Sequence, residues 1–156
     1  MVPTVYIESS IISYLVARPS RDVVIAARQA ITIEWWSNRR QNFEVLISAL
    51  VEEEISSGDN EAAALRLKAV EGIASFSVTE QAQALAEHLI KRGAVPPQSV
   101  EDALHIAIAA AQGADYLLTW NFKHINNAQT KARIAAAVEE YGYVCSVLCS
   151  PEELGE

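Results

Sequence analysis

Short and long apolar stretches alternate along the chain, and this alternation predicts the fold class. Short runs rich in β-branched and aromatic residues indicate strands, whereas apolar residues spaced three and four apart indicate helices. Because the two alternate, we expect an α/β fold in which right-handed crossovers join parallel strands and helices cover both faces of the sheet. The predicted strands are residues 5–7, 43–50, 74–78, 115–120 and 143–148, and the predicted helices are 20–43, 51–55, 60–70, 79–93, 100–113 and 127–141.

The first strand ends in a way that is unusual for a buried element. In the stretch VYIESSIISYL, residues 5–15, the apolar run Val5–Ile7 is followed at once by Glu8 and by two serines, Ser9 and Ser10. Acidic residues are depleted in strands, so a carboxylate directly after a core strand needs an explanation. In parallel sheets, ligand-binding side chains collect beyond the carboxyl ends of the strands, and Glu8 stands at that edge.

Three further polar residues fall on the same edge of the predicted sheet. Glu54 lies in the helix that follows the second strand. Asp102 lies in the first turn of a helix that runs antiparallel to the strands, so the N-terminus of that helix is also at the carboxyl edge. Asn121 follows the fourth strand directly. Topology alone therefore brings Glu8, Glu54, Asp102 and Asn121 to one rim.

The acidic run Glu52–Glu54 requires a choice of the residue that points inward. At roughly 100° per residue, Glu54 falls about 40° from Leu50 on the helical wheel, within the apolar arc. Glu52 and Glu53 fall on either side of that arc. We therefore expect Glu54 to face the rim and its two neighbours to face solvent.

Each acid also has an ordinary structural explanation. Asp102 could complement the helix dipole, Glu8 could be a strand-end residue, and Glu54 could belong to a solvated acidic face. Their joint placement favours a common role, because a carboxylate in an apolar setting needs a partner. Hard cations such as Mg²⁺ and Mn²⁺ prefer oxygen ligands, and these ions assist phosphodiester hydrolysis. The predicted metal ligands are Glu8, Glu54 and Asp102.

Composition restricts the classes of protein to which the chain can belong. Its 156 residues fit one domain, residues 1–156, with a sizeable core. The net charge of −8 argues against tight binding of nucleic acid through a basic face, but it is compatible with an acidic metal site. No signal peptide or membrane span is evident, so we expect a cytoplasmic location. Cys145 and Cys149 are expected to be buried free thiols.

With these motifs in place, the chain resembles the PIN domain nucleases, and in particular the VapC-like toxins of prokaryotic toxin–antitoxin pairs. The resemblance rests on YIESSIISYL, ISALVEEEI and EDALHIAIAAAQGADYLLTWN, in that order, within residues 4–125. It implies a three-layer α/β/α fold with a mostly parallel sheet, a Mg²⁺ or Mn²⁺ cofactor, single-stranded RNA as substrate and an antitoxin as partner. We also expect a homodimer. The family's site positions fall on Glu8, Glu54, Asp102 and Asn121, with Ser10 and Thr119 as supporting hydroxyls.

Two residues depart from the family pattern. Glu8 stands where the family has Asp, and its additional methylene moves the carboxylate outward by about 1.3 Å. Asn121 is neutral, so the rim carries three formal carboxylates, which weakens binding of a second ion. These departures leave a second hypothesis open, namely a catalytically weakened module of the same fold that binds RNA or a protein.

The remaining polar residues near the rim allow more than one role. His105 follows Asp102 by three residues, shares its helix face, and could contact that acid or an RNA phosphate. Lys123 and His124 follow Asn121 and are candidates for phosphate contact. The histidines do not have the spacing of a zinc site. No glycine-rich loop follows a strand, which disfavours a third hypothesis, a nucleotide-binding α/β protein.

Overall fold

Five strands pair in parallel over the residues that the computed structural model describes, 1–155. β1 (Thr4–Ile7) is the central strand, and the order across the sheet is β3-β2-β1-β4-β5. The predicted α/β fold is confirmed, and the pairing within the described residues is parallel throughout. The other strands are β2 (Glu44–Ser48), β3 (Ala74–Phe76), β4 (Tyr116–Leu118) and β5 (Val147–Cys149).

Helices connect the strands and cover the sheet. α1 follows β1 without a loop, because Glu8 alone separates the strand from the helix. A short 3-10 helix, Arg40–Asn42, precedes β2. The α-helices of the described chain are α1 (Ser9–Val16), α2 (Val23–Asn38), α3 (Ala49–Ile55), α4 (Asn60–Ala69), α5 (Glu80–Lys91), α6 (Val100–Ala111) and α7 (Lys131–Glu140).

Side-chain caps explain where several helices begin. The helix predicted over residues 20–43 begins at Val23, because the Asp22 carboxylate accepts a hydrogen bond from the backbone N–H of Ile25 at 3.0 Å. The strand predicted over residues 43–50 ends at Ser48. The hydroxyl of Ser48 accepts from the N–H of Val51 at 3.3 Å and starts α3 two residues earlier than predicted.

α1 was not predicted, and most of the remaining differences are elements shorter than predicted. β4 and β5 each cover three residues, and β5 ends at Cys149, one residue beyond its predicted end. α7 begins at Lys131, after a turn in which the Asn127 side chain accepts from the N–H of Gln129 at 2.9 Å. These changes do not move any of the predicted rim residues from the carboxyl edge.

The core lies between the sheet and the helices and fixes the positions of β1 and α6. Val5, Tyr6 and Ile7 are fully buried in the central strand. α6 is buried over most of its length, and its alanines allow close packing against α5. The indole N–H of Trp120, just after β4, donates to the hydroxyl of Thr32 on α2 at 2.8 Å. This hydrogen bond ties the segment that follows β4, at the carboxyl edge of the sheet, to α2.

The two cysteines are free, as predicted, but the predicted burial is confirmed for Cys149 only. Cys149 is buried, whereas Cys145 is half-buried and precedes β5. Burial raises the pKa of the Cys145 thiol to about 11 and that of Cys149 to about 12, so both stay protonated near neutral pH. Within residues 1–155, no helix combines the length and hydropathy that crossing a bilayer requires.

Candidate active site

The four predicted rim residues belong to four different segments that meet beyond the carboxyl ends of the strands. Glu8 directly follows β1 and is only 7% exposed. Glu54 lies in α3, after β2, and Asp102 lies in the first turn of α6. Asn121 comes shortly after β4. The hydrogen bonds described below connect these segments to one another.

Two hydroxyl groups hold the carboxylate of Glu8. The Ser10 hydroxyl donates to Oε1 of Glu8 at 2.5 Å, and the Thr119 hydroxyl donates to the same oxygen at 2.6 Å. Each hydroxyl oxygen also accepts a backbone N–H, from Trp120 for Ser10 and from Asn121 for Thr119, both at 2.9 Å. Because the backbone donors occupy the hydroxyl lone pairs, both hydroxyl protons are directed at Glu8.

Glu54 is likewise held by two side-chain donors. The half-buried Glu54 accepts hydrogen bonds at Oε1 from the Ser9 hydroxyl and from Nε2 of His105, the latter at 2.6 Å. Glu52 and Glu53 are exposed. The inward face predicted for Glu54 from the helical wheel therefore agrees with the structure.

A buried chain of hydrogen bonds links the second ring nitrogen of His105 to Tyr6 and Ser48. Nδ1 of His105 and the Tyr6 hydroxyl are 2.7 Å apart, and the Tyr6 hydroxyl is 2.7 Å from that of Ser48. Sequence reasoning did not identify Tyr6, Ser48 or Ser9 as part of the site. Tyr6 and Ser48 share a sheet face, because Tyr6 pairs with Leu46 and Ser48 lies two residues further on. The signal that could have found them is a polar residue facing inward on each of two neighbouring core strands.

Asn121 orients Asp102. The side-chain oxygen of Asn121 accepts from the backbone N–H groups of Lys123 and His124, at 3.1 and 2.9 Å. These two donors determine the orientation of the amide, and Nδ2 therefore points to Asp102, donating to Oδ1 at 3.0 Å. Lys123 is exposed and His124 is half-buried at the same turn. Asn121 thus acts on Asp102 through its amide nitrogen, and its oxygen is occupied by the turn.

Burial and the neighbouring charges shift the pKa values of the site residues. Burial lowers the pKa of His105, but the hydrogen bond to Glu54 and the charges of Glu8, Glu54 and Asp102 outweigh it, so the pKa is raised. Burial raises the pKa of Glu54, but the hydrogen bond and charge of His105 and the Ser9 hydroxyl bring it below its ordinary value. Glu54 and His105 therefore form a charged pair.

Asp102 differs from Glu54 in the direction of its shift. Burial raises the pKa of Asp102, and the negative charge of Glu8 raises it further. The charge of His124 and the Asn121 amide act in the opposite direction but do not cancel the rise. Burial also raises the pKa of the Tyr6 hydroxyl above its usual range, so Tyr6 stays protonated. A cation near Glu8 and Asp102 would relieve their mutual repulsion.

The donor set fits a hard divalent cation. Glu8, Glu54 and His105 each offer a ligand atom, and these atoms lie within 4.8 Å of one another. Nε2 of His105 is already engaged by Glu54, so the imidazole supports that carboxylate. Within the described chain, the hydrogen bonds to Glu8, Glu54 and Asp102 each involve one carboxylate oxygen, which leaves the second oxygen of each available. Asp102 lies outside the 4.8 Å group, although the charge of Glu8 acts on it.

Comparisons with known proteins support the fold. No family model matches the chain, and no curated protein matches it in sequence. Its structure is similar to that of VapC20 from Mycobacterium tuberculosis, described as a sarcin–ricin loop cleaving toxin, with a TM-score of 0.58 and 16% identity over 77% of this chain and 92% of that chain. It is also similar to VapBC2 from Rickettsia felis, solved with a DNA fragment from its promoter, with a TM-score of 0.55 and 15% identity over 94% of this chain and 98% of that chain. The chain therefore has the fold of VapC toxins.

Proposed function

We propose that the chain is a metal-dependent endoribonuclease that cleaves single-stranded RNA. The observation that carries the proposal is that Glu8 and Glu54, from separate segments, offer ligand atoms within 4.8 Å of each other, while Asn121 and Thr119 link Asp102 to the same rim. Carboxylate oxygens are the ligands that Mg²⁺ and Mn²⁺ prefer. The fold shared with a toxin described as cleaving the sarcin–ricin loop supports RNA as the substrate class.

In this proposal Glu8, Glu54 and Asp102 hold the ion. The chemistry that a bound divalent ion supplies is Lewis-acid activation of the phosphodiester and of water. The chain's other residues orient the carboxylates: Ser10 and Thr119 hold Glu8, His105 and Ser9 hold Glu54, and Asn121 holds Asp102. Hydrolysis of this type requires no covalent side-chain nucleophile.

The test is cleavage of a single-stranded RNA oligonucleotide by the purified chain with Mn²⁺, Mg²⁺ or EDTA. We expect cleavage with the metals only, and a loss of at least 100-fold in kcat for Asp102→Asn and Glu54→Gln. Glu53→Gln is the matched control, because Glu53 is the exposed neighbour of Glu54 and loses the same charge. Cleavage by Asp102→Asn at the wild-type rate would remove the proposed site.

We further propose that the chain is the toxin of a two-component pair, that its partner is an antitoxin protein and that it forms a homodimer. The similarity to the VapBC2 structure over 94% of this chain supports the first two points. We expect expression of the chain to arrest growth, and co-expression of the product of the neighbouring small reading frame to restore it. Growth arrest that is unchanged in Asp102→Asn would contradict a toxic ribonuclease.

A second candidate function is a weakened module of the same fold that binds RNA or protein without cleaving. It is favoured by Asn121, whose amide directs a nitrogen donor at Asp102, and by the longer side chain at Glu8. This candidate predicts no rise in melting temperature on addition of Mn²⁺ or Mg²⁺. A metal-dependent rise that disappears in Asp102→Asn would favour the ribonuclease.

A further inference from the structure

An arginine side chain lies against two aromatic rings beside the candidate active site. The guanidinium carbon of Arg28 lies 5.5 Å from the ring centroid of Trp120 and 5.0 Å from that of Phe122. The two rings are perpendicular, with centroids 5.9 Å apart. Trp120 is buried, whereas Phe122 keeps 37% of its surface exposed. Arg28, Trp120 and Phe122 form a group that we call the Arg28 cluster. Its inner ring, Trp120, is buried, and its outer ring, Phe122, is partly exposed.

The cation of this cluster has no anionic partner within residues 1–155. Arg28 is half-buried, and its guanidinium takes part in none of the ion pairs or side-chain hydrogen bonds of the described chain. Cation–π contact holds the guanidinium against the two rings, and its N–H donors have no side-chain partner among the described residues. In a chain with a net charge of −8, a positioned arginine without a carboxylate partner fits an anion that comes from outside.

The cluster is continuous with the candidate active site. The backbone N–H of Trp120 donates to the Ser10 hydroxyl that holds Glu8. A cleft of about 350 Å³ between α1 and α2 starts at Ser10 and is lined by Tyr14 and Ile25. Tyr14 contacts Trp120 edge to face, with ring centroids 6.0 Å apart. Ser10 therefore joins the rim to an open cleft, and Tyr14 and the backbone of Trp120 connect that cleft and the rim to the Arg28 cluster.

We propose that the Arg28 cluster binds one nucleotide of the single-stranded RNA, next to the phosphodiester that is cleaved. The base stacks on the exposed ring of Phe122, and Arg28 donates hydrogen bonds to the phosphate of the same nucleotide. Stacking of this kind requires a base that is free of its duplex partner, so the subsite selects unpaired RNA. The proposal rests on the proposed ribonuclease function and identifies the part of the chain that recognises the substrate.

The experiment compares Phe122→Leu and Arg28→Lys with the wild-type chain in steady-state cleavage of single-stranded RNA. We expect KM to rise about tenfold for Phe122→Leu with kcat retained, because base stacking contributes to binding and not to the chemical step. Arg28→Lys keeps the charge but loses the planar group, and we expect a rise in KM for it as well. Lys68→Arg is the charge-matched control, because Lys68 is exposed near the end of α4 and this exchange, like Arg28→Lys, keeps the charge; it should leave KM unchanged.

A series of RNA oligonucleotides, each lacking one base, separates stacking from general binding. At the nucleotide that contacts Phe122, removal of the base should raise KM for the wild-type chain and have no effect on KM for Phe122→Leu.

If RNA is cleaved and neither variant changes KM, the subsite is wrong and the proposed function stands. If the wild-type chain neither binds nor cleaves single-stranded RNA, both are wrong. If the variants weaken binding of a partner protein and leave KM for RNA unchanged, the cluster is a protein contact and the subsite is again wrong.

Discussion

Nε2 of His105 lies 2.6 Å from Oε1 of Glu54, and the imidazole is only 1% exposed. Its second nitrogen is 2.7 Å from the hydroxyl of Tyr6, which in turn contacts Ser48. Both nitrogens are therefore used inside the protein, and neither reaches an RNA phosphate. The sequence predicts contact of His105 with Asp102 or with an RNA phosphate, whereas the acid that His105 contacts in the structure is Glu54.

Replacement of His105 tests whether its hydrogen bond holds Glu54 in place. His105→Leu removes one hydrogen-bond partner from each of two groups, leaving the Tyr6 hydroxyl with Ser48 and the Glu54 carboxylate with Ser9. We expect it to lower the free energy of unfolding by about 2 kcal/mol. It should also lower kcat, because Glu54 loses its orientation. His105→Gln keeps a donor and should restore part of both. The matched control is His88→Leu, since the half-buried His88 lies 3.0 Å from the largely exposed Glu140 and loss of this pair should cost under about 1 kcal/mol in urea unfolding.

The same pair predicts how stability depends on pH. The pKa of His105 is raised from 6.5. The contribution of His105 to the free energy of unfolding is therefore complete below pH 6.5 and is lost as pH rises through the raised pKa. The pKa of Glu54 is lowered from 4.5, so its contribution is complete above pH 4.5 and is lost as pH falls through the lowered value. The stability difference between wild type and His105→Leu should therefore be largest between pH 4.5 and 6.5. Urea unfolding of both chains across pH 4 to 9 measures it, and a difference that does not vary with pH would contradict a charged pair.

Asn121→Asp should change metal binding and stability in opposite directions. Asp keeps an oxygen for the backbone N–H groups of Lys123 and His124, but it replaces the donor that faces Asp102 by a second carboxylate. The pKa of Asp102 is already raised by burial and by Glu8, so repulsion should lower the melting temperature without metal. The added charge should enlarge the rise in melting temperature on addition of Mn²⁺. An unchanged metal response would mean that position 121 does not face the ion.

Protonation of Asp102 should also limit metal binding at low pH. The carboxyl group must be ionised to bind a cation, and its pKa is raised from the ordinary value of 3.8. We therefore expect the apparent affinity for Mn²⁺, measured by calorimetry, to fall as pH decreases through that raised value, above the pH at which an exposed aspartate would titrate. In Asn121→Ala, which removes the amide that lowers this pKa, the fall should begin at a higher pH.

The sequence predicts the topology and the rim well, because both depend on local patterns. Alternating elements determine a parallel sheet, and a helical wheel is enough to separate Glu54 from Glu53. The hydrogen-bond partners were not predictable in the same way. Tyr6 and Ser48 lie on separate strands, and their contact depends on the strand register. The N-terminal limit of α3 was also missed, because the cap at Ser48 competes with the strand tendency of the residues around it.

Thr119→Val removes one of the two hydroxyl groups that donate to Glu8 and preserves the shape of the side chain. Thr119 is fully buried; its hydroxyl donates to Glu8 at 2.6 Å and accepts the N–H of Asn121 at 2.9 Å. Valine leaves that N–H unpaired and removes one of two donors to Glu8, so we expect a loss of about 1–3 kcal/mol and weaker Mn²⁺ binding. Thr130→Val is the matched control, because the buried Thr130 hydroxyl has no hydrogen-bond partner within residues 1–155 and its removal should be neutral or stabilising. Equal changes in the two variants by urea unfolding would show that the Thr119 hydroxyl contributes nothing to holding Glu8.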